Sequence, residues 1–183
     1  MKILIITASR YNCTRQAGQW IQERLAFETE LVDHHSVQDA PSLENYDLII
    51  LGSGIYNHEF LPELNSWIDE NLELLKQKRI SLFATAMKTE PVYVRGMVHG
   101  GLAMLNYLFE KLGSAVVHAE ILPGQMSFES FTDEDKLKID NFYKMLKYPP
   151  EKIAELKKPR TLMCKKDYWT FAEQTFEKAS QCR

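Results

Sequence analysis

A chain of 183 residues can bury a sizeable core, and it is read as one domain, 1–183. Hydrophobic residues at 45% and charged residues at 26% are ordinary for a globular protein, and a net charge of −3 gives no footprint for nucleic acid. Three cysteines, Cys13, Cys164 and Cys182, match no disulfide or metal spacing. With no secretory h-region and no apolar run of membrane-spanning length, they point to a reducing, cytoplasmic setting.

Residues 2–7 are apolar on both faces, as a central parallel strand requires. The chain then breaks into Ser9-Arg10-Tyr11-Asn12-Cys13-Thr14 and enters a helix over 14–26, with Thr14 as its cap and Ala17, Trp20, Ile21 and Leu25 on one stripe. A buried strand turning into a helix N-terminus presents free amides and the positive dipole end, which is a natural phosphate site. A short strand is expected at 30–33 and a clear one at 46–52, ending in a Gly52-Ser53-Gly54 turn open to close backbone approach. A helix carrying Phe60, Leu64, Trp67 and Ile68 leads to a fourth strand at 79–86. A long apolar helix within 96–112, closed by Gly113, leads to a fifth strand at 115–122.

Strands alternating with helices imply a parallel sheet covered on both faces. Ligands in such sheets sit beyond the carboxyl ends of the strands, which nominates the loops 7–14, 52–59 and 85–95. About sixty residues follow strand five, where one closing helix would complete the pattern. They read as a helix over 132–147 capped by Thr132, a stop at Pro149-Pro150, a basic connection, and a helix with Trp169, Ala172 and Phe176 on one stripe. Residues 133–166 hold ten Lys/Arg and six Asp/Glu, a net of +4 that leaves −7 for the rest.

These features resemble the flavodoxin-like family, and within it the flavodoxin-fold, menaquinone-dependent protoporphyrinogen dehydrogenases. The resemblance rests on residues 9–14, on Glu44-Asn45-Tyr46-Asp47, on Gly52-Ser53-Gly54-Ile55-Tyr56, on the segment 127–165 inserted before the final helix, and on Asp167-Tyr168-Trp169. It implies an α/β, three-layer flavodoxin-like fold with a five-stranded parallel sheet in order 2-1-3-4-5 and an extended helical segment after strand five. It also implies FMN as cofactor. The phosphate would lie on Ser9, Arg10, Tyr11, Asn12, Cys13 and Thr14, and the ring between Ser53, Gly54, Ile55, Tyr56 and Thr85, Ala86, Met87, with Tyr56, Met87 and Tyr93 as walls. The chain departs from the family at Ala8, where a hydroxyl is usual, and at Asn12, where glycine is usual. Asn tolerates left-handed backbone and can replace that glycine sterically, whereas Ala8 removes a donor.

Each residue also has an ordinary reading. Ser9 and Thr14 fit a plain turn and cap, Arg10 a solvated loop charge, Cys13 a small loop residue and Tyr56 a packed loop tyrosine. His34 and His35, adjacent on a strand, point to opposite faces and read as a surface pair rather than a metal site. His58 lies in the ring loop, His99 near a helix start, and His118 mid-strand as a satisfied core or edge residue.

By the resemblance, the first functional reading is an FMN-dependent oxidoreductase passing electrons from a porphyrinogen to a quinone, with peripheral membrane contact through 133–166. No side chain compels an acid–base role, and no metal is expected. The alternatives are an electron carrier between redox partner proteins and a binding module that has lost FMN. A phosphoryl-receiver domain is excluded because Thr7-Ala8-Ser9 lacks its acidic cluster.

Overall fold

The computed structural model describes residues 1–56, 58–94 and 96–181. Its centre is the strand β1, Ile3–Ala8, all six residues of which are buried. Alternate side chains leave a strand on opposite faces. Leu4, Ile6 and Ala8 therefore join one core cluster, and Ile3 and Ile5 another.

The helix α1, Cys13–Leu25, follows, then β2, Val32–Ser36, and β3, Leu48–Gly54. Helices α2, Pro62–Glu70, and α3, Leu72–Leu75, lead to β4, Arg79–Ala86. A hairpin of β5, Val92–Val94, and β6, Met97–His99, precedes a 3₁₀ turn at Leu102–Leu105 and α4, Asn106–Leu112. Next come β7, Val116–Pro123, and the two-residue β8, Gln125–Met126. The chain continues through α5, Asp133–Met145, α6, Pro150–Leu156, β9, Arg160–Thr161, and α7, Lys165–Gln181.

The main sheet runs β2-β1-β3-β4-β7, every pairing parallel. This is the expected 2-1-3-4-5 order, with β7 as its fifth strand. Leu64, Ile68, Leu75, Leu105, Leu108 and Leu112 bring α2, α3 and α4 onto one face. Ala17, Ile21 and Leu25 of α1, with Tyr168, Phe171 and Ala172 of α7, cover the other. The three layers follow from burying the two apolar surfaces of one parallel sheet.

Several local expectations are corrected. The second strand starts at Val32, not at residue 30, because it pairs Ile3 with Val32 and carries His34 and His35. The pair is not a surface feature: His34 is half-buried, hydrogen-bonds the Thr7 hydroxyl at 3.0 Å, and lies so close to α1 that a Cβ on Gly18 would meet its Nε2 at 2.4 Å. Gly52 is a strand residue rather than part of a turn, and Phe83 of β4 fills the space where its side chain would be. The long helix expected within 96–112 divides into β6, the 3₁₀ turn and the shorter α4, and His99 lies in β6. Gly113 at φ 58 ends α4 as expected. Pro150 opens α6, a helix that the basic composition of this stretch concealed, because proline at the first helical position loses no hydrogen bond. The buried stripe of α7 is Tyr168, Phe171, Ala172, Thr175 and Ala179, with Trp169 and Phe176 at its margin. His118 is a satisfied core residue, hydrogen-bonded to Thr175 at 2.8 Å and stacked on Phe171.

Candidate functional site

Parallel pairing aligns the carboxyl ends of β1, β3, β4 and β7, with Ala8 beside Ser53, Gly54 beside Thr85, and Ala86 beside Pro123. The chain leaves β1 for the β2 side of the sheet and later returns as β3 on the other, so the switch in strand order lies above this edge. A cavity of about 770 Å3 opens there, within the range of about 300–1,000 Å3 usual for small-molecule sites.

The first loop reaches the cavity through Ser9, Tyr11, Cys13 and Thr14. Asn12 caps α1 with backbone angles of φ 64 and ψ −8, the left-handed conformation that glycine would supply. No side chain caps the helix and no acid lies in its first turn, so the leading amides remain directed at the loop. Thr14 is not the cap. It sits within the first turn, buried, and its hydroxyl shares a 2.9 Å hydrogen bond with that of Thr85, tying the first loop to the third. Cys13 is buried with its sulfur 3.5 Å from that of Met163, and burial pushes its thiol pKa up, which suits packing rather than reactivity.

Arg10 departs most from expectation. Its guanidinium lies 3.3 Å from the Asp135 carboxylate of α5 and 4.7 Å above the Tyr56 ring. The neighbouring Tyr11 hydroxyl donates to the same carboxylate at 2.7 Å, and its ring packs at a tilt of 37° against Phe131. Burial alone would raise the pKa of Asp135, but the Tyr11 hydrogen bond and the Arg10 charge hold it below the usual carboxylate range. The positive charge expected for a phosphate is thus spent on fastening α5 to the loop.

In the second loop, Gly54, Ile55 and Tyr56 line the cavity, with His58 beside them. Tyr56 and Glu59 exchange backbone hydrogen bonds at 2.8 and 3.1 Å, which holds the turn, and burial raises the Tyr56 pKa. Ser53 is buried below the cavity. Its hydroxyl donates to Gly54 O and accepts from Leu61 N, so it braces the strand end rather than facing a ligand. The third loop contributes Thr85, Ala86 and Met87, anchored by Gly124 N donating to Ala86 O at 2.7 Å. Tyr93, expected as a wall, is 77% exposed and stands outside the cavity. Of the third loop, Arg95 lies outside the described residues, as do Asn57 of the second and Cys182.

The far wall was not foreseen. Asp135, Ile139, Phe142 and Tyr143 of α5, Leu156 of α6, and Arg160 of β9 face the same space. The sequence signal was present in the apolar positions of α5, which fit a cover for the sheet as well as they fit a wall for a site. Among the described residues no group of histidine, cysteine and acidic side chains is placed to hold a metal.

A family model described as a flavodoxin domain matches residues 4–152. The chain belongs to the flavodoxin domain family. No curated protein sequence matches it. Among solved structures, oxidised flavodoxin 1 from Bacillus cereus aligns with a TM-score of 0.57 at 21% identity, covering 97% of this chain and 98% of that one. General stress protein 14 from Treponema denticola, solved in complex with FMN, gives 0.54 at 13% identity over all of both chains. Rubredoxin oxygen:oxidoreductase from Desulfovibrio gigas gives 0.51 at 14% identity, covering 97% of this chain but only 36% of the larger protein. At these identities the likenesses establish the flavodoxin-like fold.

Proposed function

We propose that the cavity binds FMN and that the chain is an oxidoreductase which brings its substrate into the same cavity. The uncapped start of α1, the left-handed Asn12 and the Ser9 hydroxyl suit a phosphate. The carboxylate nearest to this loop, Asp135, already has its charge met by Arg10. Gly54, Ile55 and Tyr56 on one side, and Thr85, Ala86 and Met87 on the other, offer a slot with backbone polar groups for a flat ring. The residues therefore fit the cofactor, and FMN would supply the redox chemistry that no side chain here provides. Tyr56 and Met87 would wall the ring, while α5 and α6 exclude water from its outer side.

The observation that carries the enzymatic reading is this wall. A carrier between proteins needs an exposed flavin edge, whereas here α5, α6 and β9 extend the cavity past the three loops. Within this reading, the resemblance noted in the sequence favours a porphyrinogen as donor and a quinone as acceptor. The exposed Leu137 suits contact with an apolar surface during delivery of an apolar substrate.

The test is spectroscopic. Purified protein titrated with FMN should acquire bound-flavin absorbance, and riboflavin, which lacks the phosphate, should bind more weakly. Protoporphyrinogen should then bleach the flavin and a menaquinone analogue restore it. Absence of FMN binding at micromolar concentrations would sink the cofactor, and bleaching only by a reductase protein would favour the carrier.

A further inference from the structure

We propose that the side of the cavity walled by α5 and α6 is a binding site for an apolar, ring-bearing carboxylate, with Arg160 as its anchor. This takes that side as the substrate half of the cavity and so rests on the reading above. Arg160 belongs to β9, which pairs with β8 through Met126 and is tied back to the end of β7 by Leu162 N donating to Gly124 O at 2.9 Å. The hairpin thus holds Arg160 against the cavity, close enough for its charge to act on the Tyr143 hydroxyl.

The Nε of Arg160 is buried and has no hydrogen-bond partner among the described residues. Of the α5 carboxylates, Asp135 is paired with Arg10, and Asp140, whose Oδ1 makes no hydrogen bond of good geometry, lies 2.6 Å from the Lys157 ammonium. Lys138, the other cation on this wall, is held by Glu134 at 2.6 Å. The side chain as a whole is half-buried, and its guanidinium keeps its charge, so the buried Nε stays a donor. A buried N–H of a charged group left without an acceptor is costly, and a ligand that supplies the acceptor recovers that cost. The planar edge of Arg matches the two oxygens of a carboxylate, and the contact is stronger in apolar surroundings. Those surroundings are Phe142, Tyr143, Leu146, Tyr148 and Leu162, which suit a flat apolar body. A phosphate is better served across the cavity by the α1 amides.

The experiment uses the full chain, calorimetry, and two probes of one shape, 2-naphthoate and its neutral amide, 2-naphthamide. Wild-type protein should prefer the acid by about ten- to a hundredfold. Arg160→Met should abolish the preference, weakening 2-naphthoate far more than 2-naphthamide, whose carbonyl is the poorer acceptor. Arg160→Lys, which keeps the charge but not the fork, should restore part of it. Equal binding of both probes by wild type overturns the proposal without recourse to any variant, as does failure of 2-naphthoate to bind or a preference that survives Arg160→Met in a protein with a normal melting curve. An FMN titration of the same samples separates the two readings. A chain that takes no flavin yet prefers the acid retains the Arg160 site and loses the cofactor; a yellow chain that binds both probes alike loses the Arg160 site only.

Discussion

Asn12 holds the backbone at φ 64 so that the first loop can turn into α1. Asn12→Gly should leave stability and FMN affinity within error. Asn12→Val should cost about 1–2 kcal/mol, read from urea midpoints, and weaken FMN binding as the amides lose their alignment. A valine variant as stable as wild type would show that the loop adapts. Thr14→Val leaves the buried Thr85 hydroxyl without its partner and should cost about 1–3 kcal/mol, with Thr14→Ser recovering most of it. Two histidines set the acid limit. Burial lowers His118 to about 4, helped by Lys178, and lowers His34 to about 4, helped by His35 and Arg15. The unfolded chain therefore binds more protons than the folded one between about pH 4 and 6.5, so stability falls as pH drops through that window and levels off above about pH 7. Melting temperatures from pH 8 to 5 check this, and His118→Gln should flatten part of the slope. At this scale the sequence revealed residue types but not partners. Asn12 was legible because its left-handed tolerance is intrinsic. Arg10 was not, because the Asp135 that claims its charge lies 125 positions away.

At the scale of elements, α5 is joined to the first loop by a buried carboxylate rather than by a broad apolar face. Only Asp135 and Tyr143 of its thirteen residues are buried. Asp135→Ala should accordingly accelerate amide hydrogen exchange across 133–145, while exchange in α1 changes little. Arg10→Met should have a smaller effect, since Tyr11 still donates to the carboxylate. Unchanged exchange in both variants would show that packing alone seats α5. The Thr132 cap was readable because its hydroxyl accepts from Asp135 N, three residues along the chain. Helices and strands with strong local periodicity were likewise readable. The β5–β6 hairpin and α6 were not, because three-residue strands and a seven-residue helix are too short to show a period, and the β8–β9 pair was not, because its two strands lie 35 positions apart.

For the molecule as a whole, the two-faced sheet follows from strands that are apolar on both sides, and the position of the cavity follows from strand order. The cavity's far wall depends on how 127–162 folds back, which no periodicity encodes. If FMN occupies this cavity, the ligand should stabilise the whole fold. At about a hundred times its dissociation constant the gain is about 2.7 kcal/mol, or about 5–10 °C in melting temperature for a chain of this size. A thermal-shift titration that stays flat while absorbance reports binding would place the flavin on a surface loop instead.

The packing of α7 sets the order in which this protein can be made. Ile3 and Ile5 of β1 and Phe83 of β4 lie beneath Tyr168 and Phe171, so one side of the sheet stays uncovered until residues 165–181 have been synthesised. From the end of β7 at Pro123 to the end of α7 at Gln181 is 58 residues, so at ribosomal speeds that interval is roughly 3–12 s. Throughout it, the nascent chain presents a half-finished apolar surface alongside α1. A ribosome-bound chain arrested at residue 164 should therefore recruit a holdase chaperone and bind a hydrophobic dye, and both signals should vanish once α7 emerges. A stretch that packs on α1 and the back of the sheet would thus decide whether the newborn protein escapes aggregation.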